Sequence, residues 1–191
     1  MRIGILSDVH DHLHNLQPAM RWLSGKSDLL LCCGDLCSPF IVDELKKYSG
    51  PVHIVFGNND ADLYRITRKS DSRVQAQGEF LELDLNGFRV AMNHFDNIAG
   101  PIARSSLYDL VCFGHNHRFS LAHYGRTVAL NPGTLMGWAF GPSGPERVPP
   151  TFAVFDTQTK EPELFRLENG SIAPGTWEPA GASSIRTKPV R

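Results

Sequence analysis

Short apolar runs alternate with helix-length amphipathic stretches through the first half of the chain, the pattern of βαβ units laid on a largely parallel sheet. Arg2–Ser7 predicts a first strand. His12–Lys26 predicts an amphipathic helix, because Leu13, Leu16, Met20 and Leu23 recur at three- and four-residue steps and so share one face. Gly25 helps to end that helix. Leu29–Cys33 predicts a second, buried strand, Ser38 is placed to cap a helix running through Lys47, and Pro51–Phe56 predicts a third strand.

The pattern then changes. Phe80–Leu85 and Phe88–Asn93 flank Asn86-Gly87, a strong signal for a two-residue hairpin, so antiparallel pairing is expected here. Further short strands are expected at Asp109–Phe113, Ser120–Tyr124, Thr127–Leu130, Phe152–Phe155 and Glu163–Leu167, which suggests a mixed second sheet packed on the first. The sum is an α/β fold, a four-layer αββα sandwich of two mixed β-sheets flanked by helices. Residues 1–168 are read as one domain, and residues 169–191, rich in Gly, Pro and Ser, as a loosely ordered C-terminal tail. Gly137–Pro150 holds three glycines and four prolines around Trp138 and Phe140. It reads as a long loop serving as a lid, an interface or mobile surface.

Composition narrows the class. A length of 191 residues suits a single core, and 41% hydrophobic with 20% charged residues is ordinary for a globular protein. The formal net charge of −1 lacks the basic excess that holds a nucleic-acid backbone, so small substrates or protein partners are favoured and stable nucleic-acid binding is not expected. No apolar run approaches a membrane span, and no signal-peptide pattern precedes Arg2-Ile3-Gly4-Ile5-Leu6, so a cytoplasmic location is expected. Cys32, Cys33, Cys37 and Cys112 lie in or beside apolar segments and read as reduced thiols. A Cys33/Cys37 zinc pair lacks a matching second pair.

Residues able to bind metal gather where apolar strands give way to loops: Asp8 and His10, Asp35, Asn58, His94, and His115 with His117. The carboxyl ends of strands in an open α/β sheet face one crevice, so these seven are expected to converge there. Turn chemistry alone does not select histidine. Asp8 and His10 are two apart, which in extended backbone points both side chains to one side, and His115 with His117 repeats the spacing. Asp35 follows Gly34, which permits a sharp backbone turn. Imidazole, carboxylate and amide oxygen together suit Mn²⁺, Fe²⁺, Co²⁺, Ni²⁺ or Zn²⁺ better than Ca²⁺.

Asp8-Val9-His10, Gly34-Asp35, Gly57-Asn58-Asn59-Asp60, His94 and Gly114-His115-Asn116-His117 occur in an order and at intervals that resemble the calcineurin-like metallophosphoesterases, in particular their small bacterial and archaeal phosphodiesterases. Asn131-Pro132-Gly133-Thr134 also looks like that subgroup. The resemblance spans about residues 1–167 and implies the αββα fold. It also implies a dinuclear centre in which Asp8, His10, Asp35 and His117 bind one divalent ion, manganese first among the choices. Asp35 bridges to a second ion completed by Asn58, His94 and His115. A hydroxide held between the two ions would attack phosphorus, with His10, Asp35, Asn58 and Asn59 as the catalytic set.

Two positions depart from the family pattern. Asn59 stands where the family's phosphatases commonly carry a histidine that steadies phosphate and protonates the leaving group, and an amide has no proton to give at neutral pH. Phe95 stands where glycine usually follows the metal-binding histidine; its ring would narrow the entrance or stack on an aromatic leaving group. No arginine lies inside the motif blocks, although Arg104 and Arg118 are near in sequence, and this favours a small phosphodiester over a dianionic monoester. Asp11, His12 and His14 belong either to the pocket or to the first helical turn. A homo-oligomer using Trp138 and Phe140 is a further expectation. The alternative function is a catalytically weak protein-binding scaffold like the retromer small subunit, which shares the fold.

Overall fold

The computed structural model describes residues 1–176. In chain order these form β1 (Arg2–Leu6), α1 (Leu13–Leu23), β2 (Leu29–Cys32), α2 (Phe40–Leu45), β3 (Val52–Ile54), α3 (Leu63–Lys69), β4 (Val74–Ala76), β5 (Phe80–Leu85) and β6 (Phe88–Asn93). There follow α4 (Asp96–Arg104), β7 (Leu110–Cys112), β8 (Phe119–Tyr124), β9 (Thr127–Pro132), β10 (Trp138–Gly141), β11 (Gly144–Arg147), β12 (Thr151–Asp156), β13 (Glu161–Glu168) and β14 (Ser171–Pro174). One mixed sheet runs β14-β13-β12-β1-β2-β3-β4, a second runs β5-β6-β7-β9-β8, and β10 with β11 forms a separate hairpin.

Strand periodicity builds the layers. Ile3 and Ile5 of β1 and Leu29 and Leu31 of β2 face the second sheet, where Val90, Met92, Leu110, Cys112, Val128 and Leu130 meet them. Their neighbours Leu6, Leu30 and Cys32 face the other way, onto Leu16, Ala19, Met20 and Leu23 of α1, Ile41 and Leu45 of α2, and Ile66 of α3. Ala91, Val111 and Ala129 on the far face of the second sheet receive Ala99 and Ala103 of α4. One period-two alternation in each sheet thus supplies two packing surfaces, and the result is the four-layer αββα order.

Several elements differ from the sequence expectation. β12 and β13, expected in the second sheet, extend the first: β12 pairs antiparallel with β1, Ile3 opposite Phe155. The chain can do this because Ala153 and Phe155 face the inter-sheet core while Phe152 and Val154 face the helices, as on the parallel strands beside them. Ser38 does not cap α2, whose N-cap is Pro39. Its hydroxyl and amide both donate to Asp11, at 2.6 and 2.9 Å. Ser171–Pro174, in the stretch read as a tail, pairs with Phe165–Glu168 of β13, and residues 177–191 lie outside the described residues. Gly137–Pro150 is organised as the β10–β11 hairpin, with Trp138 opposite Arg147 and the guanidinium 5.1 Å from the indole ring.

The β5–β6 hairpin forms over the expected residues, with Asn86 and Gly87 both at positive φ (56° and 89°), as a type I′ turn requires. Asp109, just before β7, is held by Arg126 and Lys160 at 2.8 and 3.0 Å.

Because Phe155 is fully buried between the sheets, Phe155→Ala is expected to cost about 3–5 kcal/mol. Tyr64→Ala, at a site 74% exposed, is expected to stay within about 0.5 kcal/mol. Chemical denaturation of the three proteins side by side measures both.

Candidate metal centre

β1, β2 and β3 run parallel, as do β6 and β7, so their carboxyl ends open on one edge of the sandwich. Every expected donor lies on the loops there. The chain does not reach the site in extended backbone: Asp8, His10, Asp35, His115 and His117 all have positive φ, between 44° and 74°. The reading that residues two apart share a side through extended geometry is therefore corrected. Left-handed turns after the strands fold each pair back toward the crevice, a conformation uncommon outside glycine and tolerated where surrounding contacts fix it.

Those contacts are main-chain and carboxylate hydrogen bonds between loops. Asp8 N donates to Gly34 O at 3.1 Å and His10 N to Asp35 O at 3.0 Å. Buried Asp60 accepts from the amides of Asp35, Cys37 and Gly57 at 3.0, 2.9 and 2.7 Å, tying the β2 and β3 loops together. Thr134 Oγ1 donates to Asp8 O, while Asn131 Nδ2 donates to Gly114 O and to Asn116 Oδ1. The Asn131–Thr134 segment thereby joins the loop of Asp8 to that of His115 and His117. Gly34 (φ 96°) has no room for a side chain, since a Cβ there would come 2.8 Å from both Gly57 N and His94 Nδ1.

Asp8, His10, Asp35 and His117 each bring one donor atom within 4.8 Å of the others. His117 Nε2 lies 3.2 Å from both His10 Nε2 and Asp8 Oδ1, and His10 Nε2 lies 3.4 Å from Asp35 Oδ2. The remaining donors adjoin this group. His94 Nε2 is 3.4 Å from Asp35 Oδ2 and 4.0 Å from Asp8 Oδ1, and His115 Nδ1 is 3.0 Å from Asn58 Oδ1. Asp35 therefore stands between two sets, one buried except for half-buried His10 and one whose Asn58 and His115 are exposed.

The imidazoles are pre-oriented. His94 Nδ1 donates to Cys33 O at 2.7 Å and His117 Nδ1 to Trp138 O at 2.6 Å, which turns each Nε2 to the centre. His10 Nδ1 lies 3.4 Å from Cys37 Sγ. Asp8 Oδ1 and His94 Nε2 are buried without any hydrogen-bond partner. A buried carboxylate oxygen in that state is costly, and a cation beside it removes the cost. Charge follows the same logic. Burial pushes His94 and His117 down, but Asp35 and Asp8 outweigh it and raise both, whereas for His10 burial prevails. Burial also opposes ionisation of Asp35, yet His94 and Asn59 hold its carboxyl well below the usual carboxylate range.

Other candidates fall elsewhere. Asn59 donates its amide N–H to Asp35 Oδ1 and its side-chain Nδ2 to Asp35 Oδ2, both at 2.8 Å, so it orients that carboxylate. Asp11 is engaged by Ser38, and His14 is exposed. Arg118 pairs with Glu146 and Arg104 lies over Tyr124, so neither guanidinium is engaged with the donor cluster. Asp60 and the Trp138 carbonyl are the contributors that sequence reasoning missed. Asp60 carried a faint signal, a carboxylate two residues after Asn58; a backbone carbonyl carries none.

The calcineurin-like phosphoesterase superfamily domain matches residues 1–160 of the chain. Phosphodiesterase MJ0936 of Methanocaldococcus jannaschii is 27% identical over 173 residues, covering 88% of this chain and all of that protein. A solved archaeal phosphodiesterase superposes with a TM-score of 0.76 at 25% identity, over 87% of this chain and all of its own. Vacuolar protein sorting 29 of Cryptosporidium parvum shares the fold, with a TM-score of 0.64 at 20% identity over 91% of this chain and 95% of its own. With donors, strand ends and layers arranged in this way and the family match covering most of its length, the chain belongs to the calcineurin-like phosphoesterases.

Proposed function

We propose that the protein is a dinuclear-metal phosphodiesterase that hydrolyses small phosphodiesters, with manganese the preferred ion. The observation that carries this reading is the quartet Asp8, His10, Asp35 and His117, gathered around a buried carboxylate oxygen that has no other partner. The donor chemistry, nitrogen and oxygen without thiolate, suits borderline divalent ions. Asp8, His10, Asp35 and His117 would hold one ion, and Asn58, His94 and His115 the other, with Asp35 shared. Bound ions of this kind polarise phosphoryl oxygens and lower the pKa of a bound water.

The chain's own residues supply position. Asp35 is kept ionised, and Asn59 fixes both of its oxygens. The carbonyls of Cys33 and Trp138 hold two imidazoles in the tautomer that offers Nε2. Exposed Asn58 and His115 mark the side from which substrate enters. With Asn59 directed at Asp35, no side chain here is assigned as the acid that protonates a leaving group, a contribution worth about 10²–10⁴ in rate elsewhere. The relative named as a phosphodiesterase supports diesters as substrates. The four unpaired cysteines fit a reducing compartment, which supports a cytoplasmic location.

The primary test is hydrolysis of bis-p-nitrophenyl phosphate and p-nitrophenyl phosphate by metal-stripped protein after Mn²⁺, Ni²⁺, Co²⁺ or Zn²⁺ is restored. Turnover is expected with the diester, and Asp35→Asn is expected to abolish it. Metal uptake without turnover in any condition would favour a protein-binding scaffold instead. Asn59→Ala, which removes the side-chain bond to Asp35 Oδ2 and leaves the main-chain bond to Oδ1, is expected to weaken metal binding about 10-fold, the low end for loss of a ligand's supporting hydrogen bond, as measured by competition with a chromogenic chelator. Aryl diesters are expected to be cleaved far faster than alkyl diesters; equal rates would mean that an acid is being supplied after all.

A further inference from the structure

Two aromatic rings adjoin the donor cluster, one beside each half of it. Phe95 is half-buried, its ring 5.2 Å from those of both His94 and His115. Phe140 stands edge to face on His117 at 5.5 Å and is 61% exposed. An aromatic ring left this open beside a polar centre exposes apolar area that a planar ligand could cover.

The segment carrying Phe140 is fixed to the site. The Trp138 carbonyl accepts from His117 Nδ1, Ala139 is fully buried, Val148 N donates to Gly137 O at 3.2 Å, and Arg118 pairs with Glu146 on the opposite strand. The hairpin thus fixes the backbone at Phe140, which leaves only the ring's own rotation to be lost on binding. A phosphodiester carries two organic groups and a monoester one, so aromatic surface next to both halves of the donor set matches a diester in number as well as in chemistry.

We propose that Phe140, presented by the β10–β11 hairpin, is a specificity-determining residue that stacks on a planar aromatic substituent of the phosphodiester, an aryl group or a nucleobase, with Phe95 as the opposing wall. This rests on the phosphoesterase reading above and names the substrate class for it. Phe140 carries the test, because Phe95 packs on two metal-site histidines and its removal would disturb them. The hydrogen bond that the hairpin gives His117 comes from a main-chain carbonyl and survives a change of side chain at position 140, and the metal content of each variant reports whether loss of the ring contact with His117 disturbs the site.

The experiment is calorimetric binding of diphenyl phosphate and diethyl phosphate to manganese-loaded wild-type, Phe140→Ala and Phe140→Trp proteins, with metal content measured on each. Wild type is expected to bind the diphenyl ester more tightly. Phe140→Ala is expected to lose about five- to thirtyfold for that ester, the range of one stacking contact, while the diethyl ester changes less than about twofold. Phe140→Trp is expected to restore the preference, and metal content to stay the same throughout. Equal losses on both esters, or lost metal, would mean that the side chain only supports His117. Unchanged affinity for both would place Phe140 in some other contact, such as one with a protein. Each of these results overturns the proposal. Aromatic-selective binding through Phe140 without hydrolysis of any diester would overturn only the catalytic reading, whereas hydrolysis with no loss in Phe140→Ala would overturn only this one.

Discussion

Everything at the functional edge follows from the burial of two carboxylates. Asp8 and Asp35 lie almost wholly out of solvent, a few ångströms from three imidazole nitrogens, and one oxygen of Asp8 has no hydrogen-bond partner. Desolvated negative charge is strongly unfavourable unless positive charge is supplied nearby. The chain's own remedy is partial: it raises His94 and His117 toward protonation and gives Asp35 two N–H donors from Asn59. A divalent ion held by this cluster would supply the rest.

That arrangement is strained in a measurable way. Five of the expected ligands occupy left-handed backbone, a conformation costing on the order of 1–3 kcal/mol at a non-glycine residue. The layers beneath offset this by rigidity, since the strands that end at the site have fully buried side chains at Leu6, Cys32, Ile54 and Cys112. Above them, Asp60 and the Asn131–Thr134 segment replace regular sheet pairing with specific hydrogen bonds between loops. Stability is drawn from the core and spent at its edge.

How much of this was legible in the sequence depended on whether the cause was local. The β5–β6 hairpin was, because Asn86-Gly87 encodes its own turn. The parallel strands were too, since their buried faces leave continuous apolar runs. α4 was not: Asp96–Arg104 contains Gly100 and Pro101, both poor helix residues, and it persists through the packing of Ala99 and Ala103 on the second sheet. The β10–β11 hairpin was hidden by its prolines and is held by contacts from distant His117 and Arg118. The donors were legible as residue types at strand ends. Their left-handed backbone was not, because it is imposed by bonds to other loops, such as His10 N to Asp35 O. Asn59 was expected in the catalytic set, and only the fold shows its main-chain and side-chain N–H groups both on Asp35.

The departures from the family pattern are linked through that last contact. A histidine at position 59 could move a proton, but Asn59 here grips both oxygens of the Asp35 carboxylate, so the position orients that side chain. On the proposed reading, in which no side chain protonates the leaving group, reactivity would depend on leaving groups that need little help, and aryl groups are of that kind. The same groups are the ones that Phe95 and Phe140 can cover. On the two proposals, one substrate chemistry is therefore reached by independent routes: a position without an acid would select it through the barrier, and two rings open to planar substituents would select it through binding.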